Sequence, residues 1–197
     1  MTAPRRAELT RTTRETETTV ALTLDGSGQA EVATGIGFLD HLFEALARHG
    51  RLDLQLRCRG DLQVDDHHTA EDCGLAFGAA LDQALGDRRG ILRFGSAFAP
   101  LDEALARAVV DLSGRPYADV QLGLVRERLG TLSTENVPHL VQAIAMASRS
   151  CVHLDVLKGV NDHHKAEAAF KALALALRAA VSRSGFDDVP STKGSLG

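Results

Sequence analysis

The chain has no tryptophan and a single tyrosine, and aromatics make up only 4% of its 197 residues. That scarcity argues against base-stacking platforms and aromatic sugar clefts. The three cysteines, Cys58, Cys73 and Cys151, are odd in number and show no C-x-x-C spacing. They argue against a disulfide framework or a thiolate zinc knuckle and for a reducing, cytoplasmic compartment. No run approaches the roughly 20 apolar residues of a membrane span, and the basic N-terminal stretch has no apolar core behind it, so neither insertion nor export is expected. Basic charge is also scarce: 22 Lys and Arg against 26 Asp and Glu leave a net charge of −4. No global field draws the chain to nucleic acid or an anionic membrane, and an anionic ligand must be held by locally placed cations. What the chain does have is a hydrophobic content of 44%, ample for a packed core, and eight histidines.

The chain repeats itself. Asp65 to Asp72, DDHHTAED, is echoed by Asn161 to Ala168, NDHHKAEA, so that His67 and His163 lie 96 residues apart. Upstream of each, DHLFEALA from Asp40 matches PHLVQAIA from Pro138, with His41 and His139 98 residues apart. A weaker echo pairs Glu15 and Leu24-Asp25-Gly26 with Glu103 and Leu112-Ser113-Gly114 at an offset of 88. Three echoes in one order with drifting offsets indicate duplication with loop insertions.

Each half then reads alike. Thr18 to Leu24 alternates as a strand, and Gly26-Ser27-Gly28 turns the chain into a second strand over Gln29 to Thr34. In the other half Ala104 to Leu112 and Tyr117 to Leu124 flank Ser113-Gly114-Arg115-Pro116 as a second hairpin. An amphipathic helix over 38–48 corresponds to one over Val137 to Ala147. Alternating Leu52, Leu54 and Leu56 match Val152, Leu154 and Val156 as strands. A helix opened by Asp65-Asp66 runs to about Leu85, and its counterpart runs from Asn161-Asp162 to about Val181. The expected fold is α+β: two tandem β-β-α-β-α repeats packed as a pseudo-symmetric unit, their sheets covered by helices. The repeats occupy residues 1–90 and 91–186, and 187–197, rich in Ser, Gly and Pro, reads as a tail.

On the helix opened by Asp65-Asp66, His67 and Glu71 stand at i and i+4 on one face, while His68 is turned about 100° away. His163, Glu167 and His164 repeat the pattern, and His41 and His139 hold matching places on the preceding helices. Six imidazoles and two carboxylates in two-fold register point to two metal sites, each with about three nitrogen ligands and one oxygen ligand, and each drawing on both repeats. Imidazole plus carboxylate without thiolate suits Mn, Fe, Co, Ni or Zn with open coordination positions. His49 and His153 fall outside the matched sets and read as surface or hydrogen-bonded residues. Arg93 in ILRFG, Arg115 in SGRP, Lys193 in STKG and Lys171, four residues after Glu167, are candidate holders of a phosphate monoester.

With these residues in view, the chain resembles the imidazoleglycerol-phosphate dehydratases of histidine biosynthesis over essentially its whole length. The resemblance rests on Arg11 to Thr16 (RTTRET), Gly35 to His41 (GIGFLDH), the two His-His segments, Asp111 to Pro116 (DLSGRP) and Ser191 to Gly194 (STKG). Leu101, where the family often has Met, and the stretch Val125 to Leu132 depart from the pattern. The resemblance implies a homo-oligomeric carbon–oxygen lyase with two Mn²⁺ per subunit, assembled as a 24-subunit shell with sites at subunit boundaries. Its metal ligands would be His41, His67, His68, Glu71, His139, His163, His164 and Glu167. Substrate would be bound by Glu15, His41, His49, His67, Glu71, Arg93, Arg115, His163, Lys171, Ser191 and Lys193, with Glu15, Glu71 and Glu167 catalytic. No phosphatase domain precedes the dehydratase as in bifunctional relatives, so phosphatase activity is not expected.

The implied reaction removes water from D-erythro-imidazole glycerol phosphate to give imidazole acetol phosphate. The proton to be lost is not acidic. A substrate ring held between two ions as an imidazolate would expel the adjacent hydroxyl and give a diazafulvene that acidifies the neighbouring C–H, with Glu15 transferring the proton. Two other readings compete. A metal-storage protein of the ferritin type needs long helices in a four-helix bundle, which the strand and turn patterns contradict. A binuclear phosphoesterase is usually aspartate-rich, whereas this set is rich in imidazole.

Overall fold

In the first half, β1 (Arg6–Thr12), β2 (Thr16–Thr23) and β3 (Ala30–Ala33) precede α1 (Gly37–Gly50), β4 (Asp53–Gly60) and α2 (His67–Leu85). The second half follows the same order: β5 (Phe94–Leu101), β6 (Ala104–Asp111) and β7 (Tyr117–Gln121), then α3 (Asn136–Ala147), β10 (Cys151–Lys158) and α4 (Asp162–Val181). A small extra hairpin, β8 (Arg128–Leu129) with β9 (Leu132–Ser133), is inserted before α3. This computed structural model describes residues 5–196; the first four residues of the expected first repeat and Gly197 of the expected tail lie outside it. The two sheets have matching orders, β1-β2-β4-β3 and β5-β6-β10-β7. The α+β, two-repeat expectation holds, with one more strand in each four-stranded sheet than the alternation indicates, besides the β8/β9 hairpin.

The additional strands hide for opposite reasons. β1, RAELTRT, is an edge strand that buries only Ala7, so it lacks an apolar face. β5, FGSAFAPL, turns its small residues inward and leaves Phe94 and Phe98 exposed, the reverse of the usual pattern. A β-carbon at Gly95 would stand 2.0 Å from Ala176 O, so the close approach of α4 demands glycine there.

The two expected hairpins are corrected. β3 does not pair with β2: β4 lies between them, antiparallel to β2 and parallel to β3. In the same way β10 separates β6 from β7. The chain bends at Leu24–Asp25 and at Ser113–Arg115, but each bend leads into β3 or β7, which a helical crossover then joins to its parallel partner β4 or β10, because two parallel strands need a long connection.

Helices pair across the halves rather than within them. α1 packs on α4, and α2 on α3. α1 buries Phe38, Leu39, Leu42, Phe43 and Leu46 along one stripe, as its periodicity requires. The α2/α3 contact is unusually close: a β-carbon at Gly78 would lie 2.6 Å from Ile144 O and 2.8 Å from Ala147 Cβ. Each pair runs in parallel, with His41 beside Glu167 and Gly50 facing Ala174, and with Glu71 beside His139 and Gly78 facing Ser148. The N-terminal turns that carry the histidines therefore end up side by side.

Candidate active site

Cross-pairing of the helices brings together two triads. His41 from α1 meets His163 and Glu167 from α4; His67 and Glu71 from α2 meet His139 from α3. Each triad takes two residues from one repeat and one from the other, as expected, but in this chain it holds two imidazoles, not three. Within each triad the donor atoms lie within 4.8 Å of one another, a spacing that one ion with ligand distances of about 2.0–2.4 Å can span. The donor set of two nitrogens and one oxygen without sulfur fits a first-row divalent ion and leaves coordination positions for a substrate.

In the first triad Glu167 Oε2 stands 2.9 Å from His41 Nε2 and 3.2 Å from His163 Nε2. Its other oxygen accepts from Lys171 Nζ at 2.6 Å. Burial alone would raise the Glu167 carboxyl, but Lys171 and then His41 outweigh it and hold the group down at about 2. Phe38 lies edge-on to the His163 ring at 5.1 Å and borders His41 at 5.9 Å, so one aromatic packs against both imidazoles. In the second triad Glu71 Oε1 is 3.2 Å from His139 Nε2, and the His67 and His139 rings stack at 4.7 Å. His67 Nδ1 lies 3.1 Å from Asn136 Oδ1, an arrangement that leaves Nε2 as the coordinating atom.

His68 and His164 join neither triad. Adjacent positions on a helix point their side chains about 100° apart, and the His68 and His164 rings lie at 76° and 89° to those of His67 and His163. His68 Nδ1 is 3.1 and 3.2 Å from the two Asp61 oxygens, with Glu15 Oε1 3.7 Å from its Nε2. His164 Nδ1 is 2.7 Å from Glu103 Oε2. These carboxylates raise the affinity of both rings for protons, Asp61 first for His68 and Glu103 first for His164. Glu103 itself is held down at about 2 by the Asn161 N–H, then by His164 and the Val160 N–H.

The two His-His helices also differ at their starts. Asn161 Oδ1 accepts the His163 N–H at 2.9 Å, the expected cap. At α2 it is Asp65 that accepts the His67 N–H, while the Asp66 carboxylate accepts from the backbone and hydroxyl of Ser133. Asp162 likewise accepts from Val125 and Arg126 N–H. The departing stretch Val125 to Leu132 is thus tied down at both ends, beside both triads.

The candidate phosphate holders other than Lys171 line a separate cavity. Arg93, Phe94, Arg115 and residues 188–193 line a cavity of about 600 Å³. Arg93 is itself committed there, forked onto Asp111 at 2.7 and 3.0 Å and donating to Pro190 O at 2.8 Å, which leaves Arg115, Lys193 and Ser191 to meet a ligand. The tail is docked, since Gly90 N–H donates to Asp188 O. Arg93 N–H donates to Ala180 O near the C-terminal end of α4, 17 residues beyond His163, or about 25 Å at 1.5 Å per residue. Lys171 and His49 stay near the first triad. Lys171 helps to lower the His49 proton affinity after burial, and His49 lies eight residues, about 12 Å, along α1 from His41. His153 sits against Tyr117 on β10, in neither triad.

Asn136, Asp61, Glu103 and Phe38 are the neighbours that sequence reading did not assign. Glu103 left a trace as the counterpart of Glu15 in the weakest echo, and Phe38 as an apolar position of the 38–48 helix in the GIGFLDH motif.

Known proteins resemble the chain in sequence and in fold. The family profile described as imidazoleglycerol-phosphate dehydratase matches residues 34–177. The enzyme of that name from Saccharomyces cerevisiae is 62% identical over 165 residues, covering 84% of this chain and 75% of its own. The one from Phytophthora nicotianae is 56% identical over 98% of this chain, which spans only 42% of that longer protein. The crystal structure of the dehydratase from Staphylococcus aureus superimposes with a TM-score of 0.82 at 35% identity, covering 90% of this chain and 99% of that one. With a family match across most of its length and the same fold in a solved relative, the chain belongs to the imidazoleglycerol-phosphate dehydratase family, hydro-lyases of histidine biosynthesis.

Proposed function

We propose that the chain catalyses metal-dependent dehydration of imidazole glycerol phosphate to imidazole acetol phosphate, with a two-metal centre built from the two triads. The observation that carries this reading is the pair of His-His-Glu triads, each closed only by helices from both repeats. Two bound divalent ions, manganese by the family resemblance, would supply Lewis-acid charge at the substrate's ring nitrogens and make the ring N–H more acidic. His41, His163 and Glu167 would hold one, and His67, Glu71 and His139 the other.

The chain's own residues account for the rest. Glu15, half exposed at the β1/β2 turn, moves the proton at the carbon that carries the second hydroxyl, and Glu71 and Glu167 assist from the triads. Arg115, Lys193 and Ser191, braced by Arg93, hold the phosphate so that the reacting carbon meets its base. Lys171, ion-paired to Glu167, and His49 would contact the substrate from beside the first triad.

A substrate measures roughly 10 Å from ring to phosphorus at about 1.5 Å per bond, so it cannot bridge the ~25 Å along α4 between a chain's own first triad and its own phosphate cavity. A working site that uses the first triad would therefore combine copies. We propose a homo-oligomer, by resemblance the 24-subunit shell, in which His68 and His164 complete triads of neighbouring chains. Residues 1–90 and 91–186 act in it as one unit, with the 187–197 tail serving a neighbour's site. No helix among the described residues is long and apolar enough to cross a membrane, and Cys58, Cys73 and Cys151 are unpaired, which supports cytoplasmic residence.

The test is to incubate metal-loaded protein with imidazole glycerol phosphate and follow both products. Ketone formation supports the dehydratase; released phosphate would favour a hydrolase, and neither product a metal-storage role.

A further inference from the structure

We infer that Glu103, the second-half counterpart of Glu15, is a positioning residue that fixes the His164 ring so that Nε2 presents its lone pair to a metal ion, and that Asp61 does the same for His68. The inference rests on the proposed ligand role of those two histidines. Glu103 occupies the two-residue turn between β5 and β6, where Leu101 pairs with Ala104. Its Oε1 accepts N–H groups from Val160 at 3.1 Å and Asn161 at 2.8 Å, at the entrance to α4. Its Oε2 lies 2.7 Å from His164 Nδ1. An ionised carboxylate only accepts, so Nδ1 carries the ring proton and the neutral ring has Nε2 unprotonated. Asp102 Oδ2, the nearest carboxylate oxygen on the Nε2 side, is 3.9 Å away, beyond hydrogen-bond reach.

In the first half the same two tasks fall to different residues. Asp61 takes His68 Nδ1 with both oxygens, and Glu15, at the β1/β2 turn, lies on the Nε2 side at 3.7 Å, its carboxylate without a backbone anchor among the described residues. Duplication thus left two turn glutamates. One is pinned by three hydrogen bonds and orients a ligand; the other is unpinned, as proton transfer requires.

The experiment is equilibrium dialysis of the full chain against Mn²⁺, run beside thermal unfolding, for wild type, H164A and E103Q. A glutamine side chain has one acceptor oxygen. If that oxygen keeps the two backbone N–H groups, its amide N–H₂ faces His164 Nδ1 and favours the tautomer protonated at Nε2. The expected result is a midpoint within a few degrees of wild type and a Mn²⁺ affinity about 10–100-fold weaker at the sites that H164A also weakens. Wild-type affinity in E103Q, with H164A impaired, overturns the inference alone. So does an affinity loss that merely tracks a lowered midpoint. Equal binding by wild type and H164A removes the ligand role itself, and the inference falls with it. Should E103Q fail to fold, D61N poses the same question at His68, with H68A as its reference.

Discussion

Because each triad takes ligands from both halves, a divalent ion should act as a staple between them, and His41→Ala tests this. His41 is 40% exposed, and Glu167 keeps Lys171 and His163 as partners when it is removed, so no buried charge is orphaned and the metal-free stability should fall by less than about 1 kcal/mol. With free ion at about 100 times the dissociation constant, one site stabilises by about 2.7 kcal/mol and two by roughly 5. For a chain of this length, about 2–4 °C per kcal/mol puts the wild-type rise in melting temperature at roughly 10–20 °C. His41→Ala breaks one triad of the two and should halve that rise, and His139→Ala should do the same through the other. Joining both substitutions should abolish it. The measurement is calorimetry of metal-stripped protein titrated with Mn²⁺, Zn²⁺ or Co²⁺. A full-sized rise in the doubly substituted chain would refute the reasoning, because the ion would then be bound elsewhere.

Glu15→Gln should leave Mn²⁺ affinity intact while lowering turnover about 10²–10⁴-fold, and near-normal turnover would remove Glu15 from proton transfer. Co-expressing a His41→Ala/His139→Ala chain with an Arg115→Ala chain should restore part of the activity that each lacks alone, since an intact metal centre and an intact phosphate cavity then meet across an interface; no recovery would mean that each chain builds its own site. Gly78→Ala should cost about 1–3 kcal/mol in urea unfolding by pressing a methyl group against Ile144 O, and should weaken metal binding at the Glu71 and His139 triad. Asp53 accepts the Gln29, Ser27 and Gly28 N–H groups, Gln29 contributing most, and its carboxyl sits below the usual range. A lowered folded value means that its stabilisation is complete above the unfolded carboxyl value of about 3.9 and is lost as pH falls through the folded one. Asp53→Asn should therefore flatten the acid limb of the stability curve below about pH 4, and an unchanged limb would show that this carboxylate is not what the turn relies on.

Much of the fold was legible in local pattern. The helices over 38–48 and 137–147 announced themselves by period, and the matched His-His-x-Ala-Glu segments disclosed the duplication. β1 and β5 did not, because an edge strand and a strand of small residues carry no apolar alternation. Strand order was also hidden: the turn residues at 26–28 and 113–116 look the same locally whether the next strand pairs beside its predecessor or leaves room for another between them.

The sequence by itself determined which side chains are available: two sets of three histidines, one histidine of each set followed by a glutamate at i+4, and a few cations in a chain of net negative charge. Helical spacing alone placed His67 with Glu71, and His163 with Glu167, and turned His68 and His164 aside. Only the tertiary structure decided that α1 pairs with α4 and α2 with α3, so that His41 closes on Glu167 and His139 on Glu71. That choice depends on close contacts such as Gly78 against Ile144, which no local pattern encodes. The separation of phosphate cavity from triads is likewise tertiary, because it follows from the length of α4 and from the tail folding back onto Arg93.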